Sequence, residues 1–149
     1  MKLIVDTCSW LKVQKLDNEK IIRLKNLLYE ADLWLTHELQ TELRYYLSDY
    51  LDFKNFSIQK VSIQKLSAFT EKELDLADLS IIQFGRQNPN CIVISDDGAA
   101  LNVLDIFKIK CFQISEFIFD QISNTFGIVL IKVFCIQCLT KDFTSTFLS

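Results

Sequence analysis

Asp6 closes the apolar run "KLIV" near the start of the chain, and Asp96 and Asp97 close a second run, "CIVIS", at residues 91 to 95. Between them lie Glu38 and Glu42, four residues apart, and Asp75 and Asp78, three apart. Each pair is spaced to share one face of a helix. Asp78 falls between Ala77 and Leu79 in a stretch that otherwise reads as an apolar helix. Asp is a poor helix former, so its position suggests a task. Four carboxylates gathered at ~5 Å repel by roughly 3 kcal/mol per pair at an effective dielectric of ~20. Uncompensated, they would hold protons or splay apart. A divalent cation removes the conflict, and oxygen donors without His or Cys nearby suit Mg²⁺ or Mn²⁺ better than zinc. Such an ion polarises a phosphoryl oxygen and activates water. Singly, an acid between a strand and a helix is more often an N-cap. The ordered set of acids is what points to a metal.

The elements around these acids alternate. "KLIV" (2 to 5), "LWLT" (33 to 36), residues 91 to 95 and "KCFQI" (110 to 114) read as short buried strands. "FSIQKVSI" (56 to 63) leans the same way. Residues 18 to 31 place Ile21, Ile22, Leu24, Leu27 and Leu28 at helical spacing. Thr36 can cap a helix whose stripe is Leu39, Leu43, Tyr46, Leu47 and Tyr50. "SAFTEKELDLADLSIIQFGRQ" reads as helix in two pieces, with Leu74, Ala77, Ile81 and Phe84 on one face, and "NPN" (88 to 90) stops it. A further helix covers 98 to 107, and helical pattern continues from Ser115 to about Leu139.

This alternation predicts an α/β fold: a three-layer α/β/α sandwich around a central parallel sheet. The expectation is one domain over residues 1 to 149, with a core to about 115 and an apolar helical extension from about 116. In such a sheet ligands bind outside the carboxyl ends of the strands, near the point where strand order reverses. Asp6 and the Asp96–Asp97 pair share one rim if their strands are neighbours.

Bulk composition narrows the classes. Half of the 149 residues are hydrophobic, with twelve Phe, three Gly and one Pro, which argues against disorder and against a turn-rich all-β protein. The net charge of −3 does not suggest sequence-blind binding to nucleic acid. The odd set of five cysteines and the lack of a secretory pattern suggest reduced thiols and a cytoplasmic chain. The longest apolar stretch, 126 to 139, contains Lys132 and falls short of the ~20 residues a membrane span needs.

The order of these motifs resembles the PIN-domain family, metal-dependent ribonucleases that include VapC-like toxins of toxin–antitoxin pairs. "LIVDTCSWLK" is similar to the family's opening strand with its Asp–Thr/Ser step, and "LTHELQTEL" to its second-strand exit with a helical Glu. "LDLADLSIIQFGRQ" resembles the Asp-led helix, and "VISDDGAAL" the later strand end, in a variant with two adjacent acids. The resemblance implies a catalytic quartet of Asp6, Glu42, Asp78 and Asp97, all metal ligands, with Asp96 as an alternative or additional ligand. Glu42 is preferred to Glu38 by its place in the motif. Thr7 and Ser95 would orient carboxylates or water from behind. Arg44, Arg86 and Lys12 are candidates for the substrate backbone. The implied cofactor is Mg²⁺ or Mn²⁺, the substrate RNA, and the partners an antitoxin and a second copy of the chain, with no membrane.

Two other functions fit clustered acids on an α/β sheet. One is a catalytically silent PIN-like module that binds a partner. The other is a receiver-type phosphoacceptor, which would place its acid pair early and a lone acid mid-chain, the reverse of this order. A nucleophilic Cys8 lacks an Arg in the following loop, and Cys135 with Cys138 lacks two more zinc ligands at suitable spacing. Both sets of thiols read as packing residues. His37 is the sole histidine and reads as solvated or capping.

Overall fold

A computed structural model of the chain describes residues 1–19, 23–64 and 74–126, the last five by backbone alone. The apolar C-terminal stretch beyond 126, the Cys135/Cys138 pair and Ile21 and Ile22 lie outside the described residues.

Five strands form one parallel sheet: β1 (Lys2–Val5), β2 (Asp32–Thr36), β3 (Ser57–Gln59), β4 (Ile92–Ile94) and β5 (Cys111–Phe112), in the order β3-β2-β1-β4-β5. Among the described residues six α-helices accompany them: α1 (Thr7–Asn18), α2 (Leu24–Tyr29), α3 (His37–Leu47), α4 (Leu76–Gln87), α5 (Gly98–Ile106) and α6 (Ile114–Phe126). The fold is α/β, as expected. Leu3, Ile4, Val5, Leu33, Leu35, Val93 and Ile94 are all buried, because the central strands are covered on both faces and so read as unbroken apolar runs. From β1 the chain moves outward to β2 and β3, then crosses back to β4 and β5. Right-handed crossovers therefore put α1 and α2 on one face and α4 and α5 on the other. α1 packs on α2, α3 and α6, whereas α4 packs on α3 and α5, so α3 touches both sides at the rim. No helix among the described residues is long and apolar enough to cross a membrane.

Within the range of the expected helix over 18 to 31 the described helix is α2 (Leu24–Tyr29), and a further helix, α1, ends at Asn18 where the expected one was to begin. α1 begins directly at Thr7, because Asp6 leaves the strand and accepts the Ser9 N–H as N-cap, and it buries Trp10 and Val13. Trp10 packs against Tyr29 and Phe56, with ring centroids 6.4 and 5.8 Å away. α2 is separate because Asp17 of α1 accepts the Leu24 and Lys25 N–H groups at its start, at 2.7 and 3.2 Å. In α3 the buried stripe is Leu39, Leu43 and Leu47, while Tyr46, expected in it, is 57% exposed. The expected face of Leu74, Ala77, Ile81 and Phe84 is buried throughout.

Candidate acidic centre at the carboxyl rim

β1 and β4 are neighbours in parallel register, Val5 beside Ile94, and the Asp6 N–H reaches the Ile94 carbonyl at 2.9 Å. Strand order reverses between these two strands, so the rim beyond them is the topological switch point. There, a cleft of about 50 Å³ is lined by Asp6, Thr7, Glu42, Asp75, Asp78 and Asp97, with Cys8 beside them and Leu39, Ala77 and Ile81 as its apolar wall. The four acids of the expected quartet thus meet in one place, drawn from two strand ends and two helices.

Local bonding fixes each arm. Asp6 is 3% exposed. One of its oxygens takes the Ser9 N–H at 2.7 Å and the other takes the Ser95 hydroxyl. Ser95 also accepts the Asp97 N–H at 3.2 Å, so one buried hydroxyl ties both strand ends together. Asp97 caps α5 by accepting the Ala99 N–H at 2.9 Å. Thr36 caps α3 through the Leu39 N–H, and its hydroxyl meets Ser80 at 2.6 Å, which pins the start of α4 against the end of β2. Asp78, on the turn before Ser80, and Glu42 of α3 both line the cleft. Asp75 and Asp78 form a capping box on α4, a role that explains an acid in this apolar segment: Asp78 lies in the first turn, where an acid is favourable, and not in the helix interior.

The electrostatics reflect crowding. Burial, then the charges of Asp75 and Asp97, pushes the Asp78 carboxyl up to about 7. Burial also raises Glu42, with Asp75 and Asp6 adding to it. For Asp6, burial outweighs the donors Ser95 and Ser9, and its pKa rises. The Thr7 hydroxyl stands near enough to Glu42 to favour its charged form, yet no full hydrogen bond closes, and Thr7 Oγ1 is buried without a partner. Cys8 is an exposed residue and not the packing residue expected. Its thiol nonetheless feels the cleft: burial, followed by Asp6, Asp97, Asp78 and Glu42, pushes it up to about 11. A thiol held neutral at pH 7 is a poor nucleophile and a poor ligand. The N-termini of α1, α3, α4 and α5 all open on this rim, so their dipoles offset part of the negative charge and favour anions.

Other expected residues lie elsewhere. Asp96 does not line the cleft: its oxygens accept the Ser9 hydroxyl at 2.6 Å, the Lys12 ammonium at 2.9 Å and the Ile114 N–H at 3.4 Å. Its side chain is 4% exposed, so it serves as an anchor between α1 and α6 and not as a ligand. Lys12 is committed to that ion pair while its own side chain stays half exposed. Arg44 lies over the Phe53 ring at 4.6 Å, and Arg86 over Phe107 at 4.8 Å in the last turn of α4, far along the helix from Asp78. Neither lines the cleft. Asp75 lines it, although only its spacing from Asp78 hinted at a role.

Capping accounts for Asp6, Asp75, Asp78 and Asp97 one by one, and helix starts collect at the carboxyl rim of any parallel sheet. It does not account for Glu42. That residue sits inside α3, past its first turn, and faces four other acids without a capping duty. Among the described residues, no three carboxylate, thiol or imidazole groups already converge at ligand distance. No family model, curated protein or solved structure significantly matches this chain.

Proposed function

We propose that this chain is a PIN-like, Mg²⁺- or Mn²⁺-dependent endoribonuclease. The observation that carries the reading is the convergence of Asp6, Glu42, Asp78 and Asp97 on one small cleft at the switch point, with Glu42 unexplained by helix capping. The donors suit a hard cation: carboxylate oxygens, a thiol held neutral, and the buried, unpartnered Thr7 Oγ1. Asp6 and Asp97 would hold the ion from the strand side, with Glu42 and Asp78 from the helix side, Glu42 swinging in on its longer side chain. When bound, such an ion supplies Lewis acidity toward a phosphoryl oxygen and toward water. Ser95 keeps Asp6 and Asp97 in register, and the helix N-termini favour an incoming phosphate. The same resemblance extends the reading to a cytoplasmic toxin acting as a homodimer under an antitoxin.

Asn caps helices about as well as Asp, so Asp6→Asn and Asp97→Asn remove charge while keeping the caps. Single-stranded RNA should be cut by the native chain only with Mg²⁺ or Mn²⁺, and each variant should lose on the order of 100-fold or more. Undiminished cutting by both variants would defeat the site. One second reading is the silent partner-binding module, since no three carboxylate, thiol or imidazole groups stand at ligand distance among the described residues. RNA left intact by the native chain at every ion concentration would favour that module.

A further inference from the structure

A larger hollow of about 670 Å³ lies between α3 and the start of α4, and it shares Glu42, Asp75 and Ala77 with the acid cleft, so the two adjoin. Its other walls are Glu38, Thr41, Tyr45, Tyr46 and Leu76. Tyr45 is 81% exposed, Tyr46 57% and Leu76 66%. The two tyrosine rings stand at 85° with centroids 4.8 Å apart, which leaves aromatic faces open to the hollow's mouth. Apolar groups clustered in the open beside a candidate active site point to a bound ligand. A second observation says what kind. Glu38 Oε2 is buried with no hydrogen-bond partner, so the hollow's wall lacks a donor.

We propose that this hollow seats one unpaired nucleobase of the RNA strand whose phosphodiester enters the acid cleft. The base lies against Tyr46, with Tyr45 at its edge, and its amino group donates to Glu38. A base supplies both missing parts at once, a flat π-face and an uncharged N–H donor. The acids of the hollow repel phosphate, so the backbone runs along the outer lip and only the base goes in. A paired base cannot turn out this way, so the site selects single strands. This inference rests on the nuclease reading above.

The test measures binding of single-stranded RNA carrying 2-aminopurine to the full chain in Ca²⁺, alongside cleavage in Mg²⁺. Tyr46→Ala should weaken binding roughly 5- to 100-fold and abolish quenching of the reporter, whereas Tyr46→Trp should keep both. Tyr45 and Tyr46 lie outside the core, so melting by circular dichroism should show the variants folded. Tyr45→Ala and Tyr46→Ala chains that bind and cut RNA as the native chain does would overturn the base site and leave the nuclease standing. An arginine-rich peptide that binds in a Tyr46-dependent way, while RNA binding ignores Tyr46, would give the hollow to a protein partner and overturn it too. No metal-dependent cutting at all would remove the nuclease reading itself, and this inference with it.

Discussion

Asp17 and Asp6 both tie helix ends to the rest of the fold, but their surroundings differ. Asp17 sits near the end of α1 and accepts the Leu24 N–H at 2.7 Å, the Lys25 N–H at 3.2 Å and the Tyr50 hydroxyl at 2.5 Å. Lys25 closes the group, donating to the Tyr50 carbonyl at 3.0 Å and lying 4.5 Å over the Tyr50 ring. Burial, then the bond to Asp17, keeps the Tyr50 hydroxyl protonated. One acid there meets three donors. At the rim, five acids share a cleft, and the described donors to Asp6 are one N–H and one hydroxyl. An acid that serves structure is saturated with donors. The rim acids are short of positive charge, and the proposed cation site rests on that shortage.

The largest stability effect expected from this contrast is at Asp17. Asp17→Ala removes the acceptor for the first two N–H groups of α2 and a charged acceptor for Tyr50, and should cost about 2–3 kcal/mol in urea unfolding. A loss under ~0.5 kcal/mol would show that the knot is not structural.

Charge removal at the rim should act in the opposite direction. The Asp78 carboxyl is raised to about 7 in the folded state, from 3.8 when unfolded. The folded state therefore binds more protons between these values, and its stability contribution, complete below pH ~4, is lost as pH rises through about 7. In EDTA the native chain should melt at lower temperature at pH 8 than at pH 5. Mg²⁺ should recover much of the difference, and Asp78→Asn should flatten the profile. A melting temperature that rises from pH 5 to pH 8 in EDTA would contradict the crowding.

The smallest effect provides a control on the helix that Asp97 caps. α5 ends in a Schellman turn, with the Ile109 N–H on the Leu104 carbonyl and the Lys108 N–H on that of Asp105, both at 2.9 Å. Lys108 holds φ 57, the left-handed region that glycine occupies without steric cost. Lys108→Gly should stabilise by up to ~1 kcal/mol equally at pH 5 and pH 8. A pH-dependent gain would mean that the rim's profile reflects α5 fraying and not carboxylate crowding.

The rim half of this contrast was legible in the sequence, for a physical reason, and the Asp17 half was not. Central parallel strands are buried on both faces, so "KLIV", "LWLT" and "CIVIS" stand out, and the acids that close them must lie on the rim. What was not legible depended on contacts distant along the chain. Asp96 reads like Asp97 until Ser9, Lys12 and the Ile114 N–H claim its oxygens. The helix expected over 18 to 31 fits its periodicity, but Arg23 leaves helical backbone and Asp17, bonded to Tyr50, accepts the Leu24 N–H at the start of α2. Tyr46 fits an apolar stripe by spacing, yet the stripe is only three leucines wide. Asp75 carried a local signal, an acid three residues before Asp78, which is the spacing of a capping box.

The most direct test of the central claim is ion binding itself. Free Mn²⁺ counted by electron paramagnetic resonance during a titration at neutral pH should show saturable binding to the native chain, weakened at least ~10-fold in both Asp6→Asn and Asp97→Asn. Affinity unchanged in those variants, or no saturable binding to the native chain, would contradict it.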